Sequence, residues 1–121
     1  MKRLLLTIGL ILLIATPIDA SWENACIGST EQTGDAAVVT SAGYICGILI
    51  ATDGTNSVTV DMYDNASAAS GTNIIPTIVV TTSASNRSTA IKVDRAISNG
   101  VYVDVTTSGT LSYVVYYKPR D

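Results

Sequence analysis

The stretch that decides the fold is Val101-Tyr102-Val103-Asp104-Val105-Thr106-Thr107-Ser108-Gly109-Thr110-Leu111-Ser112-Tyr113-Val114-Val115-Tyr116-Tyr117. In its first half Val101, Val103 and Val105 alternate with Tyr102, Asp104 and Thr106, the period of two that a strand shows when one face is buried and the other wetted. Ser108-Gly109 interrupts the run as a tight turn does, and a second β-branched and aromatic run follows from Leu111 to Tyr117. Two such runs joined so briefly predict antiparallel β structure.

The same grammar recurs upstream, in Ala36 to Thr40, Tyr44 to Ala51, Ser57 to Tyr63, Ile74 to Thr82 and Ser88 to Asp94. Val58, Val60 and Met62 oppose Thr59, Asp61 and Tyr63, while Ile91 and Val93 oppose Lys92 and Asp94. Asp53-Gly54-Thr55-Asn56 reads as a hairpin turn, and Asn99-Gly100 supplies the positive φ that a tight turn needs. Pro76 lacks a ladder donor, so its run belongs on an edge or is bulged at its start. No stretch keeps a helical period. The expected architecture is therefore all-β, a single antiparallel β-sandwich, Ig-like or jelly-roll-like, of about seven strands.

Working outward to the N-terminus, Met1, Lys2 and Arg3 precede an apolar run from Leu4 to Ile14, then Pro17 and a small residue at Ala20. This tripartite order predicts a cleavable signal peptide over residues 1–20, with Ser21 as the mature N-terminus. A retained membrane anchor is the competing reading, and it is disfavoured because the run falls short of the ~20 apolar residues that span a bilayer. Glu23-Asn24-Ala25 before Cys26 lacks the apolar residue of a lipid-attachment box. Residues 21–35 are polar and broken by Gly28 and Gly34, so they predict an irregular segment ahead of a sandwich domain at 36–121. With 121 residues there is room for one domain only.

Charge and cysteine content bound the function. The chain holds 7 basic residues, 10 acidic residues and no His, and a cut after Ala20 removes Lys2, Arg3 and Asp19, leaving the rest more acidic still. With no run of Lys or Arg, neither nucleic acid nor an anionic membrane surface is an expected partner, and no stable membrane anchor is expected after cleavage. In an oxidising compartment the two cysteines, Cys26 and Cys46, read most simply as one disulfide; a buried free thiol at Cys46 is the alternative, since it lies in an apolar run. Export to a periplasmic or extracellular space follows from the leader and this pair.

The chemistry of catalysis is thinly supplied. Without His, the Ser-His-Asp and Cys-His arrangements are impossible, and no enzymatic site is expected. Asp61, Asp64 and Asp104 offer the carboxylates of a glycoside-cleaving pair, but their strand phases place them on solvated faces. Asp53, Asn56, Asp61 and Asp64 are oxygen donors without the spacing of a calcium loop, so no metal and no cofactor is expected. Asn65-Ala66-Ser67 and Asn86-Arg87-Ser88 match the glycosylation pattern, which matters only in a eukaryotic secretory route. The loop from Asn65 to Asn73 is long enough to carry recognition.

Two runs depart from the one-sided pattern. Tyr44 to Ala51 is apolar on both faces, as a covered central strand or one meeting a partner would be. In Leu111 to Tyr117, Tyr113, Val115 and Tyr117 take one side and Val114 and Tyr116 the other, which makes these five residues the candidate interface for self-association or a protein partner. Cover from within the chain is the alternative, because the segment 21–35 contains Trp22. Tyr63, Tyr102 and Tyr116 are candidate surface aromatics, for binding or for cross-strand pairing.

Gly43-Tyr44, Ala51-Thr52-Asp53-Gly54-Thr55-Asn56, Tyr63-Asp64-Asn65, Ile74-Ile75-Pro76-Thr77 and Gly100-Val101-Tyr102-Val103-Asp104 together resemble small all-β proteins encoded among the structural genes of tailed bacteriophages. That resemblance spans roughly Ala36 to Pro119. It implies a virion accessory role, in head decoration or as part of a tail or fibre, with the protein on the virion surface and no functional residues to carry over. The leading expectation is a non-enzymatic structural or binding module of this kind. The alternative is an exported bacterial surface or adhesion module that binds a carbohydrate or a protein.

Overall fold

A computed structural model describes residues 25–81 and 87–120. The expected signal peptide and Trp22 lie outside the described residues. Eight strands are present: β1 (Ile27–Gly28), β2 (Ala36–Val39), β3 (Gly43–Thr52), β4 (Val58–Tyr63), β5 (Ile78–Val80), β6 (Ser88–Ile97), β7 (Val101–Thr107) and β8 (Leu111–Pro119). They form two antiparallel four-stranded sheets, ordered β1-β8-β3-β6 and β2-β7-β4-β5, and the chain is an all-β sandwich.

The core lies between the sheets and is aliphatic. Val58, Val60 and Met62 of β4 and Val101 and Val103 of β7 are fully buried, as their alternation predicts, and face Ile45, Ile48 and Ile50 of β3 and Val115 of β8. Burying such side chains contributes roughly 1.5–3 kcal/mol each before conformational entropy is set against it. Ile91 and Val93 of β6 pack against the same core from the edge. Arg95 Nη1 donates to the carbonyl of Ile74 at 2.6 Å, joining β6 to the segment leading into β5.

The turns do something other than what their chemistry suggests. Asp53-Gly54-Thr55-Asn56, Asn99-Gly100 and Ser108-Gly109 each read as hairpin connections, yet β3 and β4, β6 and β7, and β7 and β8 lie in opposite sheets. Each turn is an arch carrying the chain across the core. A Gly at positive φ serves an arch as well as a hairpin, and Gly54 (φ 74°) and Gly100 (φ 152°) both adopt it. Among successive strands only β4 and β5 share a sheet. The run containing Pro76 begins its strand only at Ile78 and lies on an edge, as a missing ladder donor requires.

The segment 21–35, expected to be irregular, contributes β1. This strand has two residues and pairs Ile27 with Tyr117 and Gly28 with Tyr116. The pairing continues beyond it: Ser29 N–H donates to Val115 O at 2.8 Å, and Gln32 and Tyr113 exchange both backbone hydrogen bonds. From Ile27 to Gln32 the chain thus runs along the edge of β8 and closes an edge that would otherwise be open to pairing.

Candidate docking surface

The outer face of the β1-β8-β3-β6 sheet is the site on which the sequence expectations converge, and its form comes from an irregularity in β3. Pairing with both neighbours shifts register between Ile45 and Gly47. Before this bulge the inward residue is Ile45; after it the inward residues are Ile48 and Ile50. An extra residue reverses the pleat. Tyr44 and Leu49 therefore share the outer side although their spacing is odd, and this is why Tyr44 to Ala51 seems apolar on both faces. Cys46 sits at the bulge, bonded to Cys26.

Strand β8 divides as its alternation predicts, and that division corrects the candidate interface. Tyr113 and Val115 are core residues, and Tyr117 is partly buried against the core. None of the three is presented to a partner. Val114 and Tyr116 remain on the outer face, where Tyr116 is 38% and Leu49 36% exposed. Between them the sheet is hollowed at Gly47, which has no side chain. A Cβ there would come within 2.6 Å of the Ile91 carbonyl, so the close approach of β3 and β6 admits only glycine. The hollow has a volume of about 420 Å³ and is lined by Gly47, Leu49, Ala90, Lys92, Tyr116 and the Cys26–Cys46 bridge. Lys92 on its rim is paired with Asp94, Nζ to Oδ2 at 2.9 Å.

The opposite sheet is mainly polar outside, with Val79 of edge strand β5 exposed at 58%. Asp61 and Asp104 stand directly across from each other on β4 and β7, as do Tyr63 and Tyr102, both of which are half-buried in a cross-strand pair. Asp35 adds a third carboxylate by accepting Val105 N–H at 2.8 Å. Partial burial, and then the charges of Asp35 and Asp61, push the Asp104 carboxyl above its ordinary range. A raised carboxyl makes its ionised form a burden on the fold, so stability falls as pH rises through the folded pKa and is regained below it. Asp104→Asn is expected to stabilise the domain at neutral pH by up to ~1 kcal/mol, as for a relieved like-charge cross-strand pair. The gain should vanish in acid, which urea unfolding at two pH values reads directly.

Two further acidic residues, Asp53 and Asp64, are structural clamps. Asp53 accepts from Asn56 N–H and Thr55 N–H and also from Thr110 N–H, tying the β3–β4 arch to the β7–β8 arch. Those bonds, from Asn56 first, hold its carboxyl well below the usual range. At Asp64 burial pulls the carboxyl up, but the N–H groups of Ser98, Asn99 and Gly100 outweigh it and leave the group lowered. The oxygens weighed as calcium ligands at Asp53 and Asp64 are thus taken by backbone donors. No group of three or more Cys, Asp or Glu side chains is placed to hold a metal ion among the described residues. Asn65 caps its own loop, accepting from Ser67 N–H and Ala68 N–H; Asn86 lies outside the described residues.

The Cys26–Cys46 disulfide is the one read from the sequence, but the hollow at Gly47 that it borders was not legible there. No signal in the composition marks a bulge, although a Cys and a Gly side by side within an apolar strand run are a hint of one. No family model matches this chain, and no curated protein and no solved structure is detectably similar to it.

Proposed function

We propose that this chain is a non-enzymatic structural or binding module that works outside the cytoplasm and docks a protein partner, or a second copy of itself, through the outer face of its β1-β8-β3-β6 sheet. The observation that carries the reading is the grouping of exposed apolar side chains there: Tyr44, Leu49 and Tyr116 sit on one face, while the other sheet presents Asp61, Asp104, Thr59 and Thr106 with Val79 alone on its edge strand. Exposed aromatic and aliphatic groups gathered on one face are the usual mark of an interaction surface. The Cys26–Cys46 disulfide supports work in an oxidising space.

Val114→Ser combined with Tyr116→Lys is expected to abolish assembly or docking while lowering stability by only ~1 kcal/mol, the span of strand preference at such sites. Sedimentation and urea unfolding of the pair variant check both halves. A loss of several kcal/mol would mean that this face is an internal one.

The resemblance to phage structural proteins favours a virion accessory role, and the disulfide favours an exported surface module. Fractionation of producing cells separates these readings. Recovery in purified particles supports the first, and recovery in the periplasmic or cell-surface fraction with a mass beginning at Ser21 supports the second. Retention in the cytoplasm with the cysteines reduced overturns both.

A further inference from the structure

Strand β6 is a long sheet edge, and only half of it is blunted. The edges of the two sheets are β1, β2, β5 and β6. The first three have 2, 4 and 3 residues, whereas β6 has 10. Short edges offer little to another strand, and a long one must be blunted or covered. Toward its C-terminus β6 is blunted: Ile45 pairs with Arg95 and Gly47 with Lys92, so β6 holds one residue more than β3 between them, and Asp94 takes a φ of 48°. Such a bulge twists the edge out of line. Over residues 88–92 the register is regular, and among the described residues no strand lies beyond it.

The hydrogen-bonding phase of this half is fixed. Thr52 N–H donates to Arg87 O at 2.7 Å, so Arg87 turns its backbone groups toward β3. Alternation turns Thr89 and Ile91 the same way and leaves the N–H and C=O groups of Ser88, Ala90 and Lys92 facing the open side. The side chains of these three are exposed, while those of Thr89 and Ile91 are partly buried. Outward residues placed evenly about Ala90 are their own complement. An antiparallel copy on a two-fold axis at Ala90 sets Ala90 against Ala90 and Ser88 against Lys92, and every outward N–H of the stretch meets a carbonyl. Charge agrees with this register. It keeps the two Lys92 side chains apart, each already paired with its own Asp94 at 2.9 Å, and it sets Arg87 of each copy opposite Val93 of the other, beside Asp94. A foreign strand would be selected through side-chain pockets along the edge, and Ser88 and Ala90 are too short to wall one.

We propose that two copies of the chain join through residues 88–92 of β6 as an antiparallel pair, so that the β1-β8-β3-β6 sheets of both form one continuous sheet across the dimer. The two-fold axis is perpendicular to that sheet, so the outer faces of the two copies, with their Leu49 and Tyr116 side chains, lie on one surface. Edge pairing does not depend on docking at that face, but a partner with two contact points would meet the face twice.

Sedimentation of the oxidised protein is expected to show a dimer that dissociates on dilution. Ala90→Pro removes an N–H that faces the open side and takes no ladder bond from β3, so circular dichroism should show the fold intact and sedimentation a monomer. Position 88 tests the register. Ser88→Lys sets a like charge against Lys92 at both ends of the pairing and should weaken the dimer about tenfold, whereas Ser88→Glu should tighten it about as much. Val114→Ser with Tyr116→Lys changes β8, two strands away, and should leave the edge dimer in place, so loss of docking on the face and loss of edge pairing are read separately. A protein that is monomeric at every accessible concentration overturns the proposal, and so does a dimer on which the two charges at position 88 do not act in opposite senses. If Ala90→Pro does not fold, the two Ser88 variants decide alone.

Discussion

Tyr113→Ala is expected to cost ~3–5 kcal/mol, the range for removing a buried aromatic ring, which is much of the total stability of a domain this small. Tyr113→Phe should cost about 1 kcal/mol. The ring is 1% exposed, the largest fully buried side chain of the core. Its hydroxyl donates to Gly34 O at 2.7 Å, and its backbone exchanges hydrogen bonds with Gln32. One residue therefore fills the core and fastens the N-terminal segment to it. Burial first, then the nearby Asp35 and Tyr102, push the phenol far above the ordinary tyrosine value of 10. The sign follows: the unfolded chain ionises near pH 10 and the folded chain resists, so stability falls as pH rises above that value. The Phe variant should lack that part of the alkaline slope. Urea unfolding at neutral and alkaline pH tests both claims, and a Phe variant with unchanged stability and slope would remove the Gly34 bond from the argument.

Alternation made most of the sandwich legible. Val58/Val60/Met62 and Val101/Val103/Val105 face inward as read, because a regular strand buried on one side leaves its period in the sequence. The strand pairs were not legible. Asp-Gly and Asn-Gly report a backbone that needs positive φ and do not report whether the next strand returns beside the last or crosses to the other sheet, so the arches passed for hairpins. Strand β1 left no trace because two residues have no period. The candidate site was half legible. The split of β8 into Tyr113, Val115 and Tyr117 against Val114 and Tyr116 follows from its phase, but the buried side could be named only once the second sheet was in place. In β3 the bulge at Cys46 reverses the phase, so a constant period applied to Tyr44 to Ala51 mixes two faces.

Loss of the Cys26–Cys46 bridge should be nearly as damaging as loss of the Tyr113 ring, and the damage should be local before it is global. The bridge closes a loop with a sequence separation of 20, worth ~3 kcal/mol in the chain-entropy account. A two-residue strand does not hold itself on a sheet. β1 keeps its place against Tyr116 and Tyr117 because the cross-link restricts where the chain at Cys26 can go. Strand β2, inside the same loop, has an independent anchor, since Val39 is buried and Ala36 and Ala37 pair with β7. Under reduction, or in the variant Cys26→Ser with Cys46→Ser, hydrogen exchange should therefore quicken first at Ile27 to Ser29, while β3, β4 and β7 keep their protection. Release of β1 also uncovers the edge of β8 near Tyr117, and an uncovered edge pairs with other chains, so the reduced protein should associate as its concentration rises. Comparing the reduced native chain with the double Ser variant separates the cross-link from the packing of the sulfur atoms. Equal exchange at Ile27 to Ser29 in the oxidised and reduced chains would mean that the pairing with β8 holds β1 unaided.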